Sequence, residues 1–263
     1  MTHFITAVLF DLNETLIHQV RTERSHMAST YAALTQHFWD LTFESFEAAW
    51  LKVHARYAEQ FQEGIHSVYA GDLEEAKQKL REPWYRENIA AIIEELHLPA
   101  SNRLIEKVTW AFQDSWVGGL RMPEQNRAVL EQLIQDGYQL GIVTNFQQPD
   151  IIPDILTDFG LAKFFKTIVI SASRGWRKPH PELFKPALRS LGLSETPGKV
   201  VYVGDNIEED VEGAKRVGLV PVLIDTKSKH GDLKEPVIQI QSLSELPDAL
   251  LGIRPDKEML MQE

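Results

Sequence analysis

Cysteine is absent from this 263-residue chain. Its absence excludes disulfides, thiolate zinc sites, iron–sulfur clusters and cysteine nucleophiles, and suits a reducing compartment, so the expected location is cytoplasmic. Long apolar runs are missing too, which predicts no membrane span. The opening stretch, MTHFITAVLFDLNETL, lacks a basic leading region and meets Asp11 early, so it does not read as a secretory signal. Positive charge is scarce: 27 Lys and Arg against 38 Asp and Glu leave a net charge of −11. Such a surface repels phosphate backbones, and nucleic acid is not an expected partner. No G-x-S-x-G, H-E-x-x-H or G-x-G-x-x-G occurs. Residues 192–199 resemble a P-loop, but the spacing between the glycines is one residue too long and Val200 stands where Ser or Thr is needed. Asn13-Glu14-Thr15 matches a glycosylation sequon, which nothing else in the chain supports. Oligomeric state is not readable.

What is present is ordinary globular composition, 43% hydrophobic and 25% charged, with length for one large or two modest domains. Residues 4–10 (FITAVLF) read as a strand buried on both faces that runs into Asp11. From about residue 17 to 120 apolar residues recur at spacings of three and four: Met27, Tyr31, Leu34, Phe38; then Phe43, Phe46, Trp50, Val53, Tyr57, Phe61; then Ile89, Ile92, Ile93, Leu96; then Leu104, Val108, Phe112, Trp116. These stripes predict a helical bundle. It holds Trp39, Trp50, Trp84, Trp110 and Trp116, which are expected to form its core. Beyond Gly118-Gly119 strands and helices alternate. Strands are expected at 138–143, 167–170, 199–203, 220–224 and 237–240, and a helix with Val129, Leu130, Leu133 and Ile134 inward. Alternation of this kind predicts an α/β, doubly wound, mostly parallel sheet. The expected organisation is an α/β core of residues 1–16 and 121–253, an all-helical insert at 17–120, and a frayed tail at 254–263.

Ligands of open parallel sheets collect at the carboxyl ends of the strands, where strand order reverses. The first strand delivers Asp11, followed by Asn13 and Thr15. The second delivers Thr144 and Asn145. Arg174, Arg177 and Lys178 follow the third, and Asp205 and Asn206 the fourth, with Glu208, Glu209 and Asp210 on the next turn. Singly, each has an ordinary alternative: Thr144, Asn145, Asp205 or Asn206 could cap a helix, and the acidic run could be a solvated first turn. Jointly, carboxylates converging from two strands near one lysine would repel one another, so either one is protonated or a cation lies among them. Hard oxygen ligands without Cys or clustered His favour magnesium (Mg2+) over zinc. The expected partner is a small phosphorylated metabolite.

Four segments in order, VLFDLNETL, IVTN, RKPHPELF and VGDNIEED, resemble the motifs of the haloacid dehalogenase-like (HAD) hydrolase superfamily, over about residues 4–224. The resemblance is to the subgroup with a helical cap inserted after the first motif, on a Rossmannoid core. It implies that Asp11 is the nucleophile and forms an aspartyl-phosphate. It further implies that Asp11, the main-chain carbonyl of Asn13, Asp205 and Asp210 hold Mg2+. Thr144 and Asn145 would bind the transferring group, and Lys178 would offset its charge. The chain departs from the pattern at Asn13, where phosphatases of the family carry a second aspartate as general acid and base. An amide can do neither, which predicts slow turnover. Two other readings stand beside this one: a metal-independent 2-haloacid dehalogenase, and a non-catalytic binding or regulatory protein. Substrate choice is expected from the insert, with residues 18–24 and 64–72 as candidate selectors. Arg21 and Arg24 are expected to be surface charges, and Gly118-Gly119 a hinge.

Overall fold

The computed structural model describes residues 4–226 and 237–253. Its first strand, β1 (Ala7–Phe10), is wholly buried. Next come the short β2 (His18–Gln19) and five helices: α1 (Glu23–Thr35), α2 (Phe43–Ala70), α3 (Leu73–Lys79), α4 (Tyr85–Glu95) and α5 (Asn102–Gly118). β3 (Leu120–Arg121) then pairs antiparallel with β2, so chain entry and exit of the five-helix insert lie side by side. Alternation follows: α6 (Glu124–Gln135), β4 (Gln139–Thr144), α7 (Ile152–Asp158), β5 (Thr167–Ile170), α8 (Ser171–Arg174), α9 (Lys185–Leu191), β6 (Val200–Gly204), α10 (Glu212–Arg216), β7 (Val220–Ile224), β8 (Ile238–Ile240) and α11 (Leu246–Gly252). The tail expected at 254–263 lies outside the described residues.

Six strands form one parallel sheet in the order β5-β4-β1-β6-β7-β8. The doubly wound α/β expectation is met. Strand periodicity divides the buried residues between the two faces. Val8, Phe10, Ile142 and Val203 pack with residues of α6, α7 and α11. Ala7, Leu9, Val143 and Tyr202 pack with residues of α9 and α10. The chain runs outward through β4 and β5, then returns to lay β6 against the other side of β1. That reversal opens a crevice beyond the ends of β1 and β6.

The insert has its own apolar cluster, with Leu34, Phe46, Trp50, Val53, Ile89, Ile93 and Val108 at its centre. Threonine or serine caps begin three of its helices: Thr22, Thr42 and Ser101 each accept a hydrogen bond from a main-chain N–H three residues on. The tryptophan expectation needs correction. Only Trp50 is deeply buried; Trp39 is 89% exposed and Trp110 65% exposed. Trp39 lies in the turn between α1 and α2, and Trp110 falls two residues past Val108, on the opposite side of α5. Ile134 is likewise exposed, one residue off the buried stripe of α6, whereas Asn126 of that helix is buried and donates to the Leu16 carbonyl at 2.9 Å.

A Cβ on Gly119 would fall 1.9 Å from Gln19 Oε1, so a side chain there would displace the Gln19 amide, which accepts from Arg21 N–H and donates to the Trp116 carbonyl. A second junction joins insert to core. Residues 80–85, between α3 and α4, run antiparallel to 175–177, with a bridge at Arg81 and Trp176. Arg177 N–H donates to the Leu80 carbonyl at 2.9 Å, Glu82 N–H to Gly175 at 3.2 Å, and Tyr85 N–H to Gln147 at 3.1 Å.

Candidate active site

The end of β1 aims Asp11 into the crevice, where its main-chain N–H donates to the Val203 carbonyl of β6 at 2.8 Å. The neighbouring Leu12 N–H donates to Asp11 Oδ1 at 2.8 Å, which turns the carboxylate toward the strand ends. β6 ends in Gly204. A Cβ there would lie 2.3 Å from the Asp210 carboxyl carbon, so glycine at this position is what lets Asp210 fold back over the strand. Residues 207–211 form one π-helical turn, closed by Val211 N–H to the Asn206 carbonyl at 3.2 Å. Asn206 caps that turn through Glu209 N–H, and its own N–H donates to Asp210 Oδ2 at 3.0 Å. Carboxylate oxygens of Asp11, Asp205 and Asp210 all come within 4.8 Å of one another.

Lys178 is 1% exposed and stands between two of these acids. Its Nζ donates to Asp210 Oδ1 at 2.6 Å and to the Tyr202 hydroxyl at 2.9 Å, and it lies 3.1 Å from Asp11 Oδ1. Tyr202 in turn donates to the Val143 carbonyl at 2.7 Å. Burial works against the lysine charge, but Asp11 and Asp210 outweigh it and hold the ammonium protonated. Burial also pushes the Asp11 carboxyl up, against the pull of Lys178. Asp210 is raised by burial to about 6, with Asp11 adding repulsion. One lysine therefore cannot neutralise three acids, and the site is short of positive charge. The donor set, three clustered carboxylates with no nitrogen or sulfur ligand, fits a hard divalent cation.

The remaining expected residues are also at the crevice. Thr144 is fully buried; its hydroxyl makes no hydrogen bond of good geometry, yet it lies close enough to pull the Asp11 carboxyl down. Asn13 Oδ1 is buried without a hydrogen-bond partner. Asn145, expected to bind substrate, spends its side chain on the protein: Oδ1 accepts from Lys178 N–H at 2.8 Å, and Nδ2 donates to Glu209 at 2.8 Å. The amide thereby fixes the loop that carries Lys178.

A cavity of about 310 Å³ opens beside Asn13 and Asn145. Tyr85, Phe112 and Trp116 line it from the insert, and Phe146, Gln147 and Gln148 from the loop after β4. Arg177 and Glu82 complete it. The expected selectors do not line it. In residues 64–72, Ile65 and Val68 pack against Ala76 and Leu80. Arg21 donates to the Ser115 carbonyl at 2.8 Å, and Arg24 pairs with Glu47 at 2.8 Å. His180 is buried and bonds the Leu73 carbonyl at 3.2 Å. Glu82, Tyr85 and Gln148 carry no motif in the sequence: Glu82 and Gln148 lie in connecting segments, and Tyr85 opens α4 ahead of its apolar stripe. Phe112 and Trp116 belong to the apolar stripe of α5, and a stripe does not tell a residue facing its own bundle from one facing the sheet core.

Residues 8–224 match the family model described as haloacid dehalogenase-like hydrolase. A curated relative, the glyceraldehyde 3-phosphate phosphatase of Methanopyrus kandleri, is 31% identical over 160 residues, 59% of this chain and 67% of that protein. Among solved structures, a HAD phosphatase from Thermococcus onnurineus superposes with a TM-score of 0.59 at 25% identity, covering 95% of this chain and 100% of that one. A 2-haloacid dehalogenase from Pseudomonas syringae pv. Tomato gives 0.62 at 20% identity, covering 94% and 98%. The latter likeness is one of fold alone.

Proposed function

The chain belongs to the haloacid dehalogenase-like hydrolases and is a hydrolase, and from that membership we propose that it is a magnesium-dependent phosphatase of a small phosphorylated metabolite. The observation that carries this reading is the acidic cluster. Asp11, Asp205 and Asp210 place three carboxylates within 4.8 Å, and the lysine among them is already bonded to Asp210. A metal-free displacement by Asp11 alone gives such a cluster no purpose, which sets the dehalogenase reading behind this one. The named activity of the Methanopyrus relative points the same way.

In this reading Asp11, Asp205, Asp210 and the Asn13 carbonyl hold Mg2+, which would supply the positive charge that lets two anions meet. An Asp11 carboxylate oxygen attacks phosphorus as the P–O bond to the leaving group breaks; the leaving oxygen departs and takes its proton from solvent, and water then hydrolyses the acyl phosphate to phosphate and the Asp11 carboxylate. Lys178 screens the nucleophile from the phosphoryl oxygens, and the Thr144 hydroxyl donates to one of them. Asn145 acts on this chemistry at one remove, by orienting Lys178. The five helices act as a cap over the crevice. Asn13 cannot give a proton to the leaving oxygen, so good leaving groups react best.

Phosphate release from a panel of phosphomonoesters and acetyl phosphate tests the reading. Turnover is expected with Mg2+, is abolished by EDTA, and falls at least 100-fold in Asp11→Asn. Equal turnover in EDTA or in Asp11→Asn would overturn it. Binding of Mg2+ without turnover of any phosphate compound would favour the non-catalytic reading that Asn13 also motivates.

A further inference from the structure

We propose that the cavity beside Asn13 selects esters whose leaving group is an uncharged ring with a polar edge, and that it rejects substrates carrying a second anionic group. The proposal rests on the phosphatase reading and names the substrate class of the same site.

The first observation is the wall. Tyr85 and Phe112 stack with ring centroids 3.7 Å apart and planes inclined by 17°. Trp116 and Phe146 meet edge to face at 5.0 Å. Two aromatic pairs, one wholly from the insert and one shared with the core, thus face a single cavity. Aromatic faces take up flat or ring-shaped bodies through dispersion and stacking, and gain little from a short flexible chain. The volume, about 310 Å³, lies at the lower end of the roughly 300–1,000 Å³ usual for ligand pockets. It suits one compact ring-bearing body.

The second observation is the charge balance. Arg177 is the cavity's cation among the described residues, and it is already engaged. Its Nη2 donates to Glu209 at 2.6 Å, its Nη1 lies 3.7 Å from Glu82, and its guanidinium stacks over Phe61 at 4.2 Å. Glu82 itself is buried, and its other carboxyl oxygen accepts from the Ser171 hydroxyl at 2.8 Å. Lys178, the other nearby cation, is committed to Asp210 and Asp11. The buried Nε of the Arg177 guanidinium lacks a hydrogen-bond partner, but the guanidinium charge is already shared between Glu209 and Glu82, so a carboxylate or second phosphate on the leaving group would find no unshared positive partner and would meet the Glu82 carboxyl. The uncommitted buried polar atoms are instead of the kind that pair with hydroxyl, amide or ring-nitrogen groups. Tyr85 Oη, Gln148 Nε2 and Asn13 Oδ1 all lack a hydrogen-bond partner. Burial holds the Tyr85 phenol well above its ordinary range, so it stays a neutral donor.

Nucleosides and hexoses share this chemistry, and the test separates them. With Mg2+ present, kcat/KM is measured for a nucleoside 5′-monophosphate, a hexose 6-phosphate, glycerol 3-phosphate, phosphoserine, phosphoglycolate and acetyl phosphate. One of the two ring esters is expected to exceed glycerol 3-phosphate and both carboxylate-bearing esters at least tenfold, and the larger value names the ring. Trp116→Ala should lower kcat/KM for that ester at least five times more than for acetyl phosphate, which has no body to reach the cavity. Acyclic or carboxylate-bearing esters equal to or above the ring esters would overturn the proposal, as would an equal loss for all substrates in Trp116→Ala. A readout free of turnover uses the dephosphorylated nucleoside and hexose themselves. One should quench tryptophan fluorescence saturably in wild type and bind at least fivefold more weakly to Trp116→Ala. No quenching by either overturns the proposal even if phosphate is released. Quenching without any phosphate release sinks the phosphatase reading and leaves the ring pocket standing.

Discussion

At residue scale the site is governed by an excess of carboxylate over cation in a buried volume. Asp210, raised from an ordinary 3.8 to about 6, has a direct consequence for pH. A carboxyl whose folded-state pKa is raised favours the folded protein while protonated, and that contribution is lost as pH climbs through the window from about 4 to 6. A divalent cation needs the same group ionised, so proton and metal compete. Mg2+ is therefore expected to raise Tm clearly at pH 7.5 and little at pH 5, read by thermal denaturation with and without the ion. An equal or larger rise at pH 5 would contradict the competition. Asn13 makes a second residue-scale prediction. Restoring a proton donor by Asn13→Asp should raise kcat for esters with poor leaving groups by roughly 10²–10⁴-fold, and raise acetyl phosphate hydrolysis far less. Unchanged ester rates would show that position 13 does not limit turnover. Asp11, Asp205 and Asp210 were legible in the sequence because each ends or closely follows an apolar strand run. Tyr202 was not: in β6 it reads as one more buried residue, and only the fold shows its hydroxyl bonded to Lys178.

At the scale of elements, strand existence was legible and strand ends were less so. The residues expected at 138–143 and 199–203 fold as Gln139–Thr144 and Val200–Gly204, each shifted by one residue, because pairing with Ala7 of β1 sets the starts and pairing with β5 and β7 carries the ends onward. Long helices declared themselves by period, but their partners did not. The apolar stripe of α5 serves the bundle at Val108 and the cavity at Phe112 and Trp116. The junction at residues 80–85 left no sequence signal, because its main-chain hydrogen bonds are indifferent to side-chain type. Its side-chain anchor is testable. Glu82 accepts from the Ser171 hydroxyl at 2.8 Å and faces Arg177. Glu82→Ala leaves a largely buried guanidinium with Glu209 as its remaining carboxylate. Breaking a buried pair costs about 3–5 kcal/mol, and Glu209 holds the loss toward the lower figure. Urea denaturation should show it; a loss below ~1 kcal/mol would mean the pair is not coupled to folding. Ser101→Ala, which removes the cap on Leu104 N–H, should cost about 1 kcal/mol in the same assay.

For the whole molecule, the parallel sheet and the helical insert keep separate apolar clusters, joined by the polar junction at 80–85 and by Trp116 and Val117 at the end of α5, which pack against the sheet's cluster. Weakening those links should therefore split unfolding. Differential scanning calorimetry of Glu82→Ala is expected to resolve two transitions where wild type gives one; a single transition shifted down as a unit would mean the clusters melt together regardless. The α/β class and its interruption by helices were legible because periodicity changes abruptly after β1 and again after Gly119. The position of the insert over the crevice was not, since it depends on contacts between residues more than 60 apart, such as Arg177 with Glu82. The short segment at 80–85 gives the molecule a second fastening besides its paired connecting strands, and it carries Glu82 and Tyr85 of the chamber wall as well. A visitor that fills the chamber would therefore touch the same residues that hold insert to core. Were admission and escape to wait on that clasp, a faster proton donor at position 13 would speed turnover only until the wait set the pace.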